Sequence, residues 1–291
     1  MRDLPVSLVI PAYNESEAIA EVVAQHHEAL SRLVREFEII VVDDGSTDGT
    51  ATAVPPGQAR VLRHPINRGY GQSLQTGIGA ARHDWILMTD ADGTYPVSEA
   101  MRLFDHAPDF DLIIGARQGS HFWGTPLQTI LRMIYLFCAS FVVGEKLPDA
   151  NSGLRLARRE LVNKFGLVQC LGYSFSTTMT LSLLKEGRFV KFLPIEFRAR
   201  AGGKSKVKPV RDILRTLQLM TEVILIYNPM KLFVTLAAAQ LAACAVFAGL
   251  YACAGGLGWL AAAMTAAIGA ILSFLFGCVH DSIRMHGRLK A

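Results

Sequence analysis

Charge is missing from two long stretches of this 291-residue chain. Leu232–Ala254 and Leu257–Val279 hold no Asp, Glu, Lys or Arg, and each run is 23 residues long. At ~1.5 Å per residue each reaches ~35 Å, enough to cross ~30 Å of hydrocarbon. The runs argue against a wholly soluble chain and for two transmembrane helices. The link between them, with Gly255, Gly256 and Gly258, is also uncharged, so the pair is expected to form a tight hairpin. Lys231 precedes the first run, and Arg284, Arg288 and Lys290 follow the second. By the positive-inside rule both outer flanks are expected in the cytoplasm.

Other features are scarce. The N-terminal MRDLPVSLVIP has only a short apolar run before Pro11, which is no signal-peptide pattern, so everything ahead of Lys231 is expected to stay cytoplasmic. Five scattered cysteines without CxxC spacing argue against a disulfide framework and fit a reducing compartment. The net charge of +4 is small, and no nucleic-acid partner is expected. No GxGxxG follows the first apolar run, and no GxxxxGK[ST] occurs. Gly69-Tyr70-Gly71 is only a fragment of the former. A nucleotide bound here would therefore need a metal to neutralise its phosphates.

What is present alternates. Short apolar runs at Val6–Ile10, Phe37–Val42, Arg60–Leu62, Trp85–Thr89 and Asp111–Ile114 read as strands. Between them Ile19, Val22, Val23, Leu30 and Leu33 share one helical face, and Leu74, Ile78 and Ala81 share another. Strands alternating with helices predict an α/β fold around a mostly parallel sheet, whose ligands bind at the carboxyl ends of the strands. Those ends carry Pro11-Ala12-Tyr13-Asn14-Glu15, Asp43-Asp44-Gly45-Ser46-Thr47-Asp48-Gly49, Asp90-Ala91-Asp92 and Gly115-Ala116-Arg117. Residues i and i+2 of an extended chain share a face, so Asp90 and Asp92 are expected side by side. Like charges that close call for a cation or a proton between them. Carboxylate oxygens suit Mg²⁺ or Mn²⁺. Asp48 reads as a turn or cap residue, and Asp43 as either a turn residue or a ligand.

The order PAYNE, VVDDGSTDGT, NRGYGQSLQTGIGAA, TDADG, GAR and SGLR resembles the family 2 glycosyltransferases with the GT-A fold. More narrowly it is similar to the polyprenyl-phosphate sugar synthases, of the dolichol-phosphate mannose synthase type. The likeness covers roughly residues 5 to 208. It implies a GT-A nucleotide-diphospho-sugar transferase fold with a Rossmann-like sheet. It also implies that Asp90 and Asp92 hold the metal on the donor diphosphate, Asp92 directly. Pro11, Tyr13, Glu15, Val42, Asp44 and Ala91 would line the nucleotide-sugar pocket with them. Ser152 and Arg155 of NSGLR would lie near donor or acceptor, although Arg155 could equally pair with an acid such as Asp149.

A missing acid separates acceptor classes. A hydroxyl acceptor needs a carboxylate base, yet Leu171–Met179, where one is expected, has no Asp or Glu. A phosphate monoester with a second pKa of ~6 needs none. It needs cations instead. Six basic residues and no acid lie between Arg198 and Arg211 in RARAGGKSKVKPVR. A juxtamembrane patch attracted to anionic lipid would look similar. By resemblance to the family's acceptor loop, Arg200 and Lys204 are expected to reach the phosphate, joined by Arg117 and Arg132. Arg132 is the only charge in Leu127–Val143, so an interfacial helix over about 122–143 is expected rather than a third span. A second amphipathic helix is expected over Pro209–Tyr227.

These observations divide the chain into a catalytic domain at 1–208, a juxtamembrane helix at 209–229, a transmembrane hairpin at 230–281 and a basic tail at 282–291. They point to a membrane-anchored, metal-dependent hexosyltransferase. It would move a hexose from GDP-mannose or a UDP-hexose to a dolichyl or undecaprenyl phosphate at the cytoplasmic face of the bilayer. A family 2 enzyme with a hydroxyl acceptor, or a non-catalytic adaptor keeping the fold, are the rivals. Small residues at Ala238, Ala242, Ala245 and Gly249 would permit close helix packing and a homo-oligomer.

Overall fold

Strand β1 (Val6–Ala12) is buried along its whole length, which places it at the centre of a sheet covered on both faces. The computed structural model describes residues 1–166, 175–199 and 228–288, with positions 218, 220, 221, 224 and 225 between them. Around β1 stand β2 (Phe37–Asp43), β3 (Arg60–Arg63), β4 (Trp85–Met88), β5 (Leu112–Gln118), β6 (Arg155–Arg158) and β7 (Val190–Glu196). They form a seven-stranded sheet in the order β3-β2-β1-β4-β6-β5-β7. All pairs are parallel except those of β6, which runs antiparallel between β4 and β5.

Period-2 alternation divides β1 between two cores. Leu8 and Ile10 pack with Ile19, Val22, Val23 and Leu30 of α1 (Ile19–Leu33). Val9 packs with Leu74 and Ile78 of α3 (Tyr70–Ala80), on the side that also holds Phe175, Met179 and Leu183 of α8 (Phe175–Lys185). Helix α3 approaches closely because Gly77 faces the sheet; a Cβ there would lie 2.4 Å from Val9 Cγ1. The short helices α2 (Thr50–Ala53), α4 (Val97–Arg102) and α5 (Ser120–Trp123), a 3-10 turn at Leu103–His106 and helix α7 (Arg159–Gly166) complete the described elements of this part of the chain, with one exception.

The exception is α6 (Pro126–Val143). It starts at Pro126 rather than 122 because Thr125 and Gln128 form a capping box and Pro occupies the first turn. One face of α6 is tied inward. Ala139 and Val142 are buried, the Tyr135 hydroxyl is 2.7 Å from Thr177 Oγ1, and Lys185 Nζ donates to Val143 O at 3.3 Å. The other face shows Leu127, Ile130, Met133, Ile134 and Phe137, each more than half exposed.

The chain divides into two units, Met1–Leu219 and Met220–Ala291. The second contains α9 (Pro229–Ala254) and α10 (Leu257–Arg288), joined at Gly255 and Gly256 with φ of 66° and 97°. Asn228 caps α9 by accepting from Lys231 N at 3.2 Å. Inside the hairpin, Ser273 donates to Gln240 Oε1 at 2.8 Å, and Phe247 stacks on Trp259 at 6.1 Å. Ala238, Ala242, Ala245 and Gly249 are exposed. Helix α10 runs through Arg288 and so includes most of the expected tail. The expected helix at 209–227 lies outside the described residues apart from five isolated positions. Among the described residues three helices are long and apolar enough to cross a membrane: Pro126–Val143, Pro229–Ala254 and Leu257–Ile283.

Candidate active site

The parallel strands end at one edge, and the antiparallel β6 starts there, because Arg155 pairs in register with Met88 of β4 and Ile114 of β5. The loop before β6, Asp149–Leu154, therefore arrives at the same edge as Asp90 and Arg117. That register assembles the site.

The strand ends at Met88, and the chain turns at Ala91 and Asp92 rather than staying extended as expected; Ala91 is buried in the core, with Asp90 and Asp92 half-buried on either side of it. Asp90 Oδ1 accepts from the Tyr70 hydroxyl at 2.9 Å. Its carboxylate lies against the Gly153 backbone, where a Cβ would stand 2.6 Å from Oδ1. Asp92 Oδ1 accepts from Thr94 N at 3.1 Å and Thr94 Oγ1 at 2.7 Å, an Asx turn that fixes the acidic loop. Among the described residues no cluster of three or more His, Cys, Asp or Glu could enclose a metal. The pair fits a hard divalent cation that takes its remaining ligands from phosphate and water.

Tyr95, 4% exposed, ties this loop to the next one. Its hydroxyl accepts from Gly153 N at 2.8 Å and from Ser152 Oγ at 3.4 Å. Burial pushes its pKa up to about 12, so it stays a neutral phenol. Arg155, expected near the phosphate, is fully enclosed instead. It donates to Ser152 O at 2.7 Å, Thr180 Oγ1 at 2.8 Å and Ala150 O at 2.9 Å. Burial lowers its pKa to about 10, and it remains charged at neutral pH. It shapes the loop rather than meeting a ligand.

Asp149 is the partner of Arg117, not of Arg155. Arg117 Nε donates to Asp149 Oδ2 at 2.7 Å and Nη2 to Oδ1 at 3.0 Å, a two-pronged pair. Burial disfavours both charges. The guanidinium nevertheless holds the Asp149 carboxyl below its ordinary pKa. With the Tyr95 phenol neutral, Asp149 is what holds the pKa of Arg117 above its ordinary value. Arg132 lies over the Phe122 ring, 4.2 Å from the centroid.

At the second strand end both Asp44 oxygens are engaged. Oδ1 is 2.7 Å from His64 Nδ1 and accepts from Arg68 N at 2.9 Å, and Oδ2 accepts from Gly69 N at 2.7 Å. Asp44 thereby sets the start of α3 and the place of Tyr70. Asp43 is buried, accepts from Ser46 N at 3.0 Å and pairs with Arg63 at 3.2 Å. Asp48 is a turn residue: it accepts from Thr50 Oγ1 at 2.5 Å, Ser16 N at 3.1 Å and Thr50 N at 3.0 Å, bonds that outweigh burial and lower its pKa to about 2. These bonds, with Asn14 N to Ser46 Oγ at 2.9 Å and Glu15 N to Thr50 Oγ1 at 2.8 Å, join the PAYNE and DDGSTDGT loops. Pro11, Val42, Ala91 and Ser152 are buried. Arg200 and Lys204 lie outside the described residues, as do residues 171–174 of the segment where a base would be expected for a hydroxyl acceptor.

Sequence reading missed Tyr70, Tyr95, Asp149 and Gly153 as parts of this site. The two tyrosines carried a signal, since each sits beside a glycine or proline turn next to an acidic or glycine motif.

Among solved structures, glucosyl-3-phosphoglycerate synthase from Mycobacterium tuberculosis in complex with phosphoglyceric acid is similar at 20% identity and TM-score 0.62. The match covers 76% of this chain and 80% of that one. The same enzyme in complex with Mn²⁺, UDP-glucose and phosphoglyceric acid matches at 20% identity and TM-score 0.60, covering 76% and 80%. Mannosyl-3-phosphoglycerate synthase from Rubrobacter xylanophilus matches at 20% identity and TM-score 0.60, covering 76% and 72%. At that identity the likeness is one of fold, and the fold is the GT-A arrangement expected from the motifs. The family model described as Glycosyl transferase family 2 matches residues 7–166, more than half of the chain, and the protein belongs to that family.

Proposed function

We propose that this glycosyltransferase moves a hexose from a nucleotide sugar, GDP-mannose or a UDP-hexose, to the phosphate of a polyprenyl phosphate at a membrane surface. The observation that carries the reading is the state of Asp149. It is the acid paired with the cationic side of the site, and Arg117 occupies both of its oxygens. A carboxylate so engaged is a poor base, and an ionised phosphate acceptor needs none.

Asp90 and Asp92 would hold Mg²⁺ or Mn²⁺, which when bound neutralises charge on the departing nucleoside diphosphate. Pro11, Tyr13, Glu15, Val42, Asp44 and Ala91 would shape the nucleoside and sugar pocket, several through their backbone. Arg117 and Arg132, with Arg200 and Lys204 of the basic loop, would receive the acceptor phosphate, which Ser152 would approach only through the loop it braces. One phosphate oxygen attacks the anomeric carbon. The new C–O bond forms as the bond to the nucleoside diphosphate breaks, inverting the configuration. The apolar hairpin and the exposed stripe of α6 support a lipid acceptor. Helix α6 would lie in the interface, because its other face packs on protein. Both termini and the catalytic unit would face the cytoplasm.

The test is a transfer assay with purified full-length protein, Mn²⁺, UDP-glucose or GDP-mannose, and three acceptors: undecaprenyl phosphate, undecaprenol and 3-phosphoglycerate. Acid-labile product on undecaprenyl phosphate alone is expected. An acid-stable glycoside on undecaprenol, or turnover only with phosphoglycerate, overturns the reading. Absence of metal-dependent nucleotide binding by calorimetry would indicate a non-catalytic adaptor.

A further inference from the structure

Among the described residues Arg132 makes no side-chain hydrogen bond or salt bridge, and the nearby Asp149, which attracts its charge, is already held by Arg117. Its Nη1 is buried and makes no hydrogen bond. What it touches is the ring of Phe122, 4.2 Å from its guanidinium carbon to the centroid. The guanidinium of Arg117 lies 5.1 Å from the same centroid and 5.4 Å from that of Phe197. Phe122 itself is 3% exposed. Two guanidiniums near one ring repel each other, and a long side chain with no direct salt bridge to hold it ordinarily swings towards water. The negative face of the ring opposes that motion.

The two cations depend on the ring unequally. Arg117 is fixed by the Asp149 fork and by Phe197. Among the described residues Arg132 has only the ring in direct contact and the more distant attraction of Asp149. Losing the ring should release Arg132 while Arg117 stays.

We propose that Phe122 is a positioning residue whose ring holds Arg132 beside Arg117, so that the two form one receptor for the acceptor phosphate. The inference rests on the polyprenyl-phosphate reading above. Phe122 acts through Arg132 and touches no reacting atom. Its ring therefore governs acceptor KM, and donor KM and the Mn²⁺ requirement do not depend on it. Electron density in the ring matters as well as shape, because the attraction is to the quadrupole.

The experiment uses the full chain in detergent micelles, with undecaprenyl phosphate as acceptor and UDP-glucose and GDP-mannose as donors. Phe122→Leu should raise acceptor KM about tenfold. Phe122→Tyr should stay near wild type. A trifluorinated phenylalanine at position 122, nearly the same in shape, should fall between them. Donor KM should be constant across the series, and in an Arg132→Ala background Phe122→Leu should add nothing further. An acceptor KM insensitive to fluorination, or a donor KM that rises in parallel, overturns this inference alone. Failure of the wild-type protein to glycosylate undecaprenyl phosphate with either donor overturns the functional reading and this inference with it.

Discussion

Gly153→Ala adds one methyl group at the tightest point of the site. Its Cβ would lie 2.6 Å from Asp90 Oδ1, 2.8 Å from Oδ2 and 2.9 Å from Cγ. To reach even a tight contact the carboxylate must retreat by about 0.4 Å, and to reach ordinary contact by about 0.8 Å. Gly153 is not among the residues with positive φ, so the substitution carries no backbone strain and acts through the collision. The loop cannot easily give way, because Arg155 holds its carbonyls at positions 150 and 152 and Tyr95 holds its N–H at 153. The carboxylate moves instead, against its bond from Tyr70.

A displacement of ~1 Å in a reacting geometry costs up to ~100-fold in rate, so a ~10- to 100-fold loss is expected here. The Mn²⁺ concentration giving half-maximal activity should rise as well. Overpacking costs ~1–3 kcal/mol, which leaves the fold intact. Tyr70→Phe loosens the grip on Oδ1, so the double variant Gly153→Ala/Tyr70→Phe should lose less than the two single effects combined. Initial rates against Mn²⁺ concentration, measured beside thermal melts in the same detergent, decide the matter. A Gly153→Ala protein with wild-type rate and wild-type Mn²⁺ dependence would refute the placement of Asp90 at the metal.

Asp92→Ala should abolish transfer and Mn²⁺-dependent nucleotide binding while shifting the melting point little; full activity after chelator treatment would remove the metal role. His26 is 1% exposed, its Nδ1–H bonds Val22 O at 2.8 Å and its Nε2 has no partner, so burial holds its pKa below the ordinary 6.5. The unfolded chain takes up that proton first as pH falls. Stability should therefore be full above pH ~6.5 and decline below it, by up to ~1.4 kcal/mol per pH unit. In denaturant titrations at pH 7.5 and 5.5, His26→Leu should lose less stability between the two than wild type; equal losses would contradict the assignment. Ile130→Glu/Phe137→Glu places two charges on the exposed stripe of α6, and activity on vesicle-borne acceptor should fall while activity in micelles holds. A parallel loss in both would count against a lipid-facing stripe.

The parts legible in sequence were those with a local cause. β1, β2 and β4 follow from short apolar runs and the faces of α1 and α3 from period 3.6, and the two uncharged runs announce α9 and α10 by length. β6 and β7 were not read. RLAR at β6 has an arginine at each end and looks like surface, yet Arg155 is enclosed because the strand is inserted between β4 and β5. β7 contains Pro194, which suggests a break in a strand; at the outer edge of the sheet the missing N–H is tolerated. Arg155 and Asp149 lie close in sequence, and a pair between them was the alternative to a ligand role for Arg155. Sheet register, which no local pattern encodes, gave Asp149 to Arg117 instead.

That register also limits how the chemistry can vary. Because β6 runs against its neighbours, one loop serves two sides of the site. Asp149 at its start clamps Arg117, and Gly153 near its end backs Asp90, while Arg155 and Tyr95 fix what lies between. The distance between the carboxylate pair and the clamped cation is therefore set by one short, internally bonded segment rather than by two independent strand ends. Weakening Arg155 should disturb both ends together. Arg155→Lys keeps the charge but cannot reach Ser152 O, Ala150 O and Thr180 in the same fixed fork. It should raise the Mn²⁺ requirement and the acceptor KM in the same variant, whereas Asp149→Asn should move the acceptor KM alone. If Arg155→Lys shifts only one of the two in steady-state kinetics, the two sides of the site are held separately and the single-loop account fails.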